Sequence, residues 1–203
     1  MGAVQQSDML ILASSSPRRR ELLEQAGIRF RAVAPPIHEP EQTVAHLPPA
    51  RQAEALAYFK ASTVAVLHPE SLILGADTVV AVGGQVLGKP TDAGDARRML
   101  RTLSGTRHCV ITGMALLKGG TTRLICSDAT YVTMRPLTDD DIEGYIASME
   151  WEGKAGAYAI QETADRFVTS VEGSVSNVVG LPMEMLPRML AELREHGGAH
   201  KIL

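Results

Sequence analysis

Three stretches of this chain combine residue types that handle anions. The first is Ser14-Ser15-Ser16-Pro17-Arg18-Arg19-Arg20, which crowds three arginines into the first turn of a predicted helix. The helix dipole is positive at that end, so each cation there costs a few tenths to about 1 kcal/mol. A bound polyanion reverses the sign, because backbone N–H groups, serine hydroxyls and guanidinium forks all donate to phosphate oxygens. The alternative is a solvated basic turn paired with Glu21 or Glu24. The second stretch is Gly75-Ala76-Asp77-Thr78, inside an otherwise apolar run. A carboxylate in such a run ends at a cleft or meets a cation. If Gly83-Gly84 is a two-residue turn, Lys89 falls opposite Thr78 and diagonal to Asp77. That pairing reads as a metal ligand or general base beside a phosphate-neutralising lysine, or as a structural pair at a sheet edge. The third, Gly153-Lys154-Ala155-Gly156-Ala157-Tyr158-Ala159-Ile160-Gln161, leaves backbone open to a ligand and ends on an amide with a donor and an acceptor. Glu39 and Lys60 carry no such context and default to exposed charges.

These residues need elements to hold them. Asp8 to Ala13 reads as a strand running into a helix capped by Ser16, opened by Pro17 and stopped at Gly27. Phe30 to Val33 is a second strand, Pro35 to Pro49 a loop, and Ala50 to Leu67 an Ala-rich helix. Ser71 to Val82 is a buried strand that returns through Gly83-Gly84 to Gln85–Gly88. Thr91 is placed to cap a helix over Asp92 to Leu103, closing at Ser104-Gly105. Arg107–Leu117 and Thr121–Met134 form a long hairpin around Gly119-Gly120, and Thr138 with Asp141 makes a capping box for a helix to about Ser148. Short strands near Ala157 and Val168 and an amphipathic helix after Pro182 complete the chain. Interleaved helices and strands with glycine hairpins predict an α/β domain on a mixed sheet.

The 203 residues fit one domain, residues 1–203, with two lobes. A net charge of −3 with 4% aromatic residues argues against nucleic-acid binding. No apolar run approaches the roughly 18 to 20 residues needed to span a bilayer, and no signal-peptide pattern opens the chain, so the cytoplasm is expected. Cys109 and Cys126 stand apart without zinc-ligand spacing and read as reduced core thiols. Neither HExxH nor GxSxG spacing occurs, which removes the zinc-hydrolase and serine-hydrolase readings.

LILASSSPRRRELL, LGADTVV, LGKP, LSGTRHCVITG, GKAGAYAIQ and SNVVGLP, in that order from about Met9 to Leu190, resemble the Maf family of nucleoside triphosphate pyrophosphatases. The resemblance implies an elongated mixed sheet with flanking helices and two lobes around a central cleft, similar to the inosine triphosphate pyrophosphatases. It also implies homodimers and hydrolysis between the α and β phosphates, giving monophosphate and pyrophosphate. By motif, Asp77 resembles the general base and a metal ligand. Ser14, Arg18 and Arg19 resemble phosphate ligands, and Lys60 and Lys89 resemble the lysines that neutralise the triphosphate. Glu39 aligns with an acidic loop residue that is a further catalytic and metal candidate, with Mg or Mn the expected ion. Thr78, Gln161 and Arg18 resemble the dTTP/UTP branch more than the 7-methyl-GTP branch, leaving modified pyrimidines open. The Maf name also implies an alternative role as a nucleotide-sensing inhibitor of septum formation. Trp151 and Gly153 stand where the family often has proline and aspartate, and Glu162 where it often has glycine.

Overall fold

The computed structural model describes residues 9–36, 41–119, 122–160 and 163–195. Its centre is a seven-stranded mixed sheet. β1 (Leu10–Ala13) connects through α1 (Pro17–Gln25) to β2 (Phe30–Ala32), parallel to it. α2 (Glu41–Val44) and α3 (Pro49–Ala65) lead to β3 (Leu72–Val82), which runs parallel to β1 and turns back into β4 (Gln85–Leu87). After α4 (Ala93–Leu103), β5 (Arg107–Lys118) and β6 (Thr122–Met134) form the long hairpin. α5 (Asp139–Ala147) and two 3₁₀ turns precede β7 (Val168–Glu172), and α6 (Val175–Val179) and α7 (Leu186–Glu195) follow. The strand order is β2-β1-β3-β5-β6-β7, with β4 attached to β3.

One edge of β3 pairs with β5 from Leu72 to Ala81. The other edge is divided, because β1 takes Leu72 to Gly75 and β4 takes Val80 to Val82. Residues 76–79 thus have a strand neighbour on one side only, and the notch between β1 and β4 opens at Asp77 and Thr78. Strand side chains alternate between faces, so these two point to opposite sides of the sheet. α3 covers the Asp77 face. It sits directly on the backbone because Gly75 and Gly113 lack side chains: a Cβ at Gly75 would overlap the Ala57 carbonyl, and one at Gly113 would overlap the Ala53 backbone. The Thr78 face carries two apolar clusters, one around Leu12, Leu74, Met114, Leu181 and α7, the other around Val80, Leu100, Val132, Tyr145 and Phe167. These are the cores of two lobes, with the notch between them.

Most sequence boundaries hold. Ser16 caps α1, Pro17 occupies its first turn, Gly27 follows it in the left-handed region, and Thr138 and Asp141 make the capping box. The capping residue of α4 is Asp92, not Thr91. The Asp92 carboxylate accepts from Asp95 N–H at 2.8 Å, while Thr91 donates its backbone N–H to the Asp95 carboxylate. Ala157 lies in a 3₁₀ turn, not a strand, since Gly156 and Ala157 both have positive φ and cannot extend. The expected loop from Pro35 to Pro49 contains α2. Asp8 and Gly120 lie outside the described residues, and β6 begins at Thr122. Cys109 and Cys126 are free thiols, half-buried beside the core instead of within it. Burial pushes the Cys126 thiol up to about 11, so it stays protonated and unreactive.

Candidate active site

The notch opens into a cleft of about 540 Å³, lined by the β1–α1 turn, α3, β3, Lys89 and residues 152–159. On the α3 face, Lys60 Nζ lies 2.6 Å from Asp77 Oδ1, and both residues are 5% exposed. Lys60 also reaches the Ala76 carbonyl at 3.5 Å. Position in the sequence alone assigned it to solvent, and only the family resemblance placed it at the site. It is buried instead because Gly75 and Gly113 let α3 settle onto the sheet, which carries the lysine stem down to the carboxylate. Lys89 is exposed, lies just past the last β3–β4 pair, and lines the cleft together with Asp77. The hairpin register is the one expected, but the carboxylate's ion partner is Lys60.

On the opposite face Arg19 is buried and anchored three ways. Its Nε donates to Gly180 O at 2.7 Å, Nη1 to Ser14 Oγ at 3.3 Å and Nη2 to Thr78 Oγ1 at 3.1 Å. These bonds replace the pairing with Glu21 or Glu24 that a solvated turn would use. Thr112 Oγ1 donates to Asn177 O at 2.9 Å, so its 2.8 Å contact with Thr78 Oγ1 has Thr78 as donor. The order of donation runs Arg19 to Thr78 to Thr112 to Asn177. Asn177, 0% exposed, closes the network: Oδ1 accepts from Thr112 N–H, and Nδ2 donates to Val110 O and Thr130 Oγ1. The Thr78 hydroxyl therefore orients Arg19 and keeps one lone pair for a ligand.

Arg18 also lines the cleft, and its Nε is buried with no hydrogen-bond partner among the described residues. Leaving a buried donor unpaired costs about 1–3 kcal/mol, which an anion's oxygen would recover. Across the cleft, Lys154 is buried and Glu152 exposed. Five cations (Arg18, Arg19, Lys60, Lys89, Lys154) against two carboxylates (Asp77, Glu152) leave a surplus of three positive charges in a chain whose net charge is −3. The field is thus concentrated where a polyanion would sit.

Of the residues singled out by sequence, the structure brings together Ser14, Arg18, Arg19, Lys60, Asp77, Thr78 and Lys89. Glu39 and Gln161 lie outside the described residues. Asn177, Thr112, Gly180 and Lys154 were not assigned roles from sequence. The first three belong to network bonds between residues distant in the chain, which leave no local pattern. A signal did exist for Lys154, a cation set between glycines in a stretch already marked as open to ligand. Asp77 and Glu152 are the carboxylates among the described residues that line the cleft, and carboxylate oxygens are the donors that Mg or Mn takes. No group of three metal-ligating side chains converges among the described residues.

The Maf-like protein family model matches residues 9–193. The dTTP/UTP pyrophosphatase of Symbiobacterium thermophilum is 45% identical over 183 residues, covering 90% of this chain and 93% of that protein. The dTTP/UTP pyrophosphatase of Cereibacter sphaeroides is 46% identical, covering 90% and 93%. In fold alone, the chain is similar to the Ham1 protein of Staphylococcus aureus, with a TM-score of 0.50 at 10% identity over 91% of this chain and 99% of that one. The matched span takes in every segment that lines the cleft, from the serine–arginine turn through Asp77 and Lys89 to the Asn177 network, and on that ground the chain belongs to the Maf family.

Proposed function

We propose that this protein hydrolyses dTTP and UTP to the monophosphate and pyrophosphate. The observation that carries the reading is the cationic cleft, which Arg18, with its buried, unpartnered Nε, lines together with Arg19, Lys60, Lys89, Lys154 and the Asp77 carboxylate. Its volume lies within the roughly 300–1,000 Å³ of small-ligand sites. The pyrimidine assignment is supported by the relatives' activity at about 45% identity and by Arg18, Thr78 and Gln161.

Phosphoryl transfer needs in-line positioning and charge neutralisation more than covalent help. Arg18, Arg19 and Ser14 hold phosphate oxygens at the start of α1, with Arg19 already fixed by Gly180, Thr78 and Ser14. Asp77 takes a proton from the water that attacks the α-phosphorus, and the bond from that phosphorus to the bridging oxygen breaks. Lys60 restrains the Asp77 carboxylate so that its free edge faces the cleft. Lys89 and Lys154 neutralise charge that builds on the departing pyrophosphate. Asp77, with Glu39 or Glu152, would hold a divalent cation, which would add to the neutralisation of the phosphates. A homodimer working in the cytoplasm completes this reading. Among the described residues no helix is long and apolar enough to cross a membrane.

The test is incubation of purified protein with Mg or Mn and a panel of nucleoside triphosphates, assaying pyrophosphate separately from orthophosphate. Monophosphate and pyrophosphate from dTTP and UTP are expected. Diphosphate with orthophosphate, or no turnover, overturns the proposal.

A further inference from the structure

Lys89 lies outside the regular ladder. The β3–β4 pairing ends at Leu87, ahead of Gly88 and Lys89. The Gly88 carbonyl is held from elsewhere, accepting the Gly156 N–H at 2.9 Å. Gly156 belongs to a turn with an unusual backbone. Its φ is 70°, and Ala157 next to it has φ 63°, a left-handed conformation that residues with a side chain adopt only when their surroundings enforce it. A Cβ at Gly156 would come within 3.0 Å of Val80 Cγ2, so the turn lies directly on β3, three residues from Asp77.

The next residue ties the turn to the sheet. Tyr158 is among the residues that line the cleft, and its hydroxyl is buried, with Oη 2.6 Å from His108 Nε2. The rings meet edge to face at 5.5 Å and 89°. His108 is 1% exposed, on β5 opposite Val132, and Tyr158 is 5% exposed. His108 Nδ1 is buried without a partner among the described residues, so Tyr158 is the group that this imidazole engages.

We propose that His108 is a positioning residue for the reaction: through Tyr158 it locks the turn at residues 154–158, and that turn fixes the backbone that carries Lys89. The inference rests on Lys89 contacting the substrate's phosphates, as in the proposed function. The same lock sets the place of Lys154, at the turn's other end.

Tyr158→Phe tests it with little disturbance, since the ring stays and only the hydroxyl leaves. Once the parent enzyme is shown to release pyrophosphate from dTTP, Tyr158→Phe is expected to lower kcat about tenfold, with KM within twofold and the melting midpoint down by a few degrees, because the buried imidazole loses its partner. His108→Gln is expected to act in the same direction. Inorganic pyrophosphate with Mg, followed by calorimetry, gives a readout independent of turnover. Tyr158→Phe should weaken its binding about fivefold in the parent chain and by less than twofold in a Lys89→Met background, because the lysine being placed is then absent. Equal weakening in both backgrounds, or an unchanged kcat in Tyr158→Phe, overturns the proposal. A parent enzyme that releases no pyrophosphate instead fails the functional reading on which it depends.

Discussion

Asp77 and Thr78 are neighbours in one strand, yet they are held by opposite means. On the Asp77 face, small residues let a helix press against the sheet, and one ion pair of 2.6 Å does the orienting. On the Thr78 face, a network of side-chain hydrogen bonds joins Arg19, Thr78, Thr112 and Asn177 to one another, to the end of α6 and to the sheet. The packed side fixes a carboxylate by shape, whereas the bonded side fixes a guanidinium by direction, and in the proposed reading the first reacts and the second grips substrate. Damage to the first should thus register in kcat, and damage to the second in KM and stability.

Asp77→Asn gives the largest expected effect, a fall in kcat of about 100-fold or more with KM little changed, read from steady-state kinetics on dTTP. A comparable rise in KM instead would dissolve the distinction between the two faces. Asn177→Ala comes next. It strands Thr112 N–H and Val110 O in the core, and about 3 kcal/mol of stability should disappear in urea unfolding, with KM up several-fold and kcat nearly kept. A third expectation concerns acid. Burial lowers the His108 pKa from 6.5 to about 4, so the unfolded chain binds this proton first as the pH falls. The contribution is fully present above pH 6.5 and is lost between 6.5 and 4, amounting to about 2 kcal/mol from pH 7 to 5. Unfolding curves of the parent and of His108→Gln should differ by that slope, and parallel curves would refute the assignment. Arg107→Gln should do least. Its pairing with Glu172 and its contact with the Tyr131 ring are exposed, so activity and melting midpoint should match the parent.

The packed face was the more legible of the two in sequence. Asp77 announces itself as a charge in an apolar run, and Gly83-Gly84 fixes the hairpin register because both glycines take positive φ. Lys60 was the exception: helical periodicity says nothing of how closely a helix approaches a sheet, and that distance is set by Gly75 and Gly113, one of them over fifty residues away. The bonded face was mostly hidden. The serine–arginine turn stood out because its charges conflict with the helix dipole, but Asn177 and Gly180 differ from ordinary loop and cap residues only through partners that the fold supplies. The 3₁₀ turn at Ala157 escaped for a related reason, since alanine in the left-handed region runs against its own preference and only the surrounding contacts impose it.

The anchor from Arg19 to the Gly180 carbonyl spans 161 positions of the chain. A ribosome delivers residues in order, so the strands, α3 and the Asp77–Lys60 pair are all available before α6 emerges. In that interval the chain already contains both residues of the ion pair, while Arg19 still lacks the carbonyl that anchors it. In the proposed reading the carboxylate side is thereby supplied first and the anchor of Arg19 later, so its grip on a triphosphate waits for Gly180.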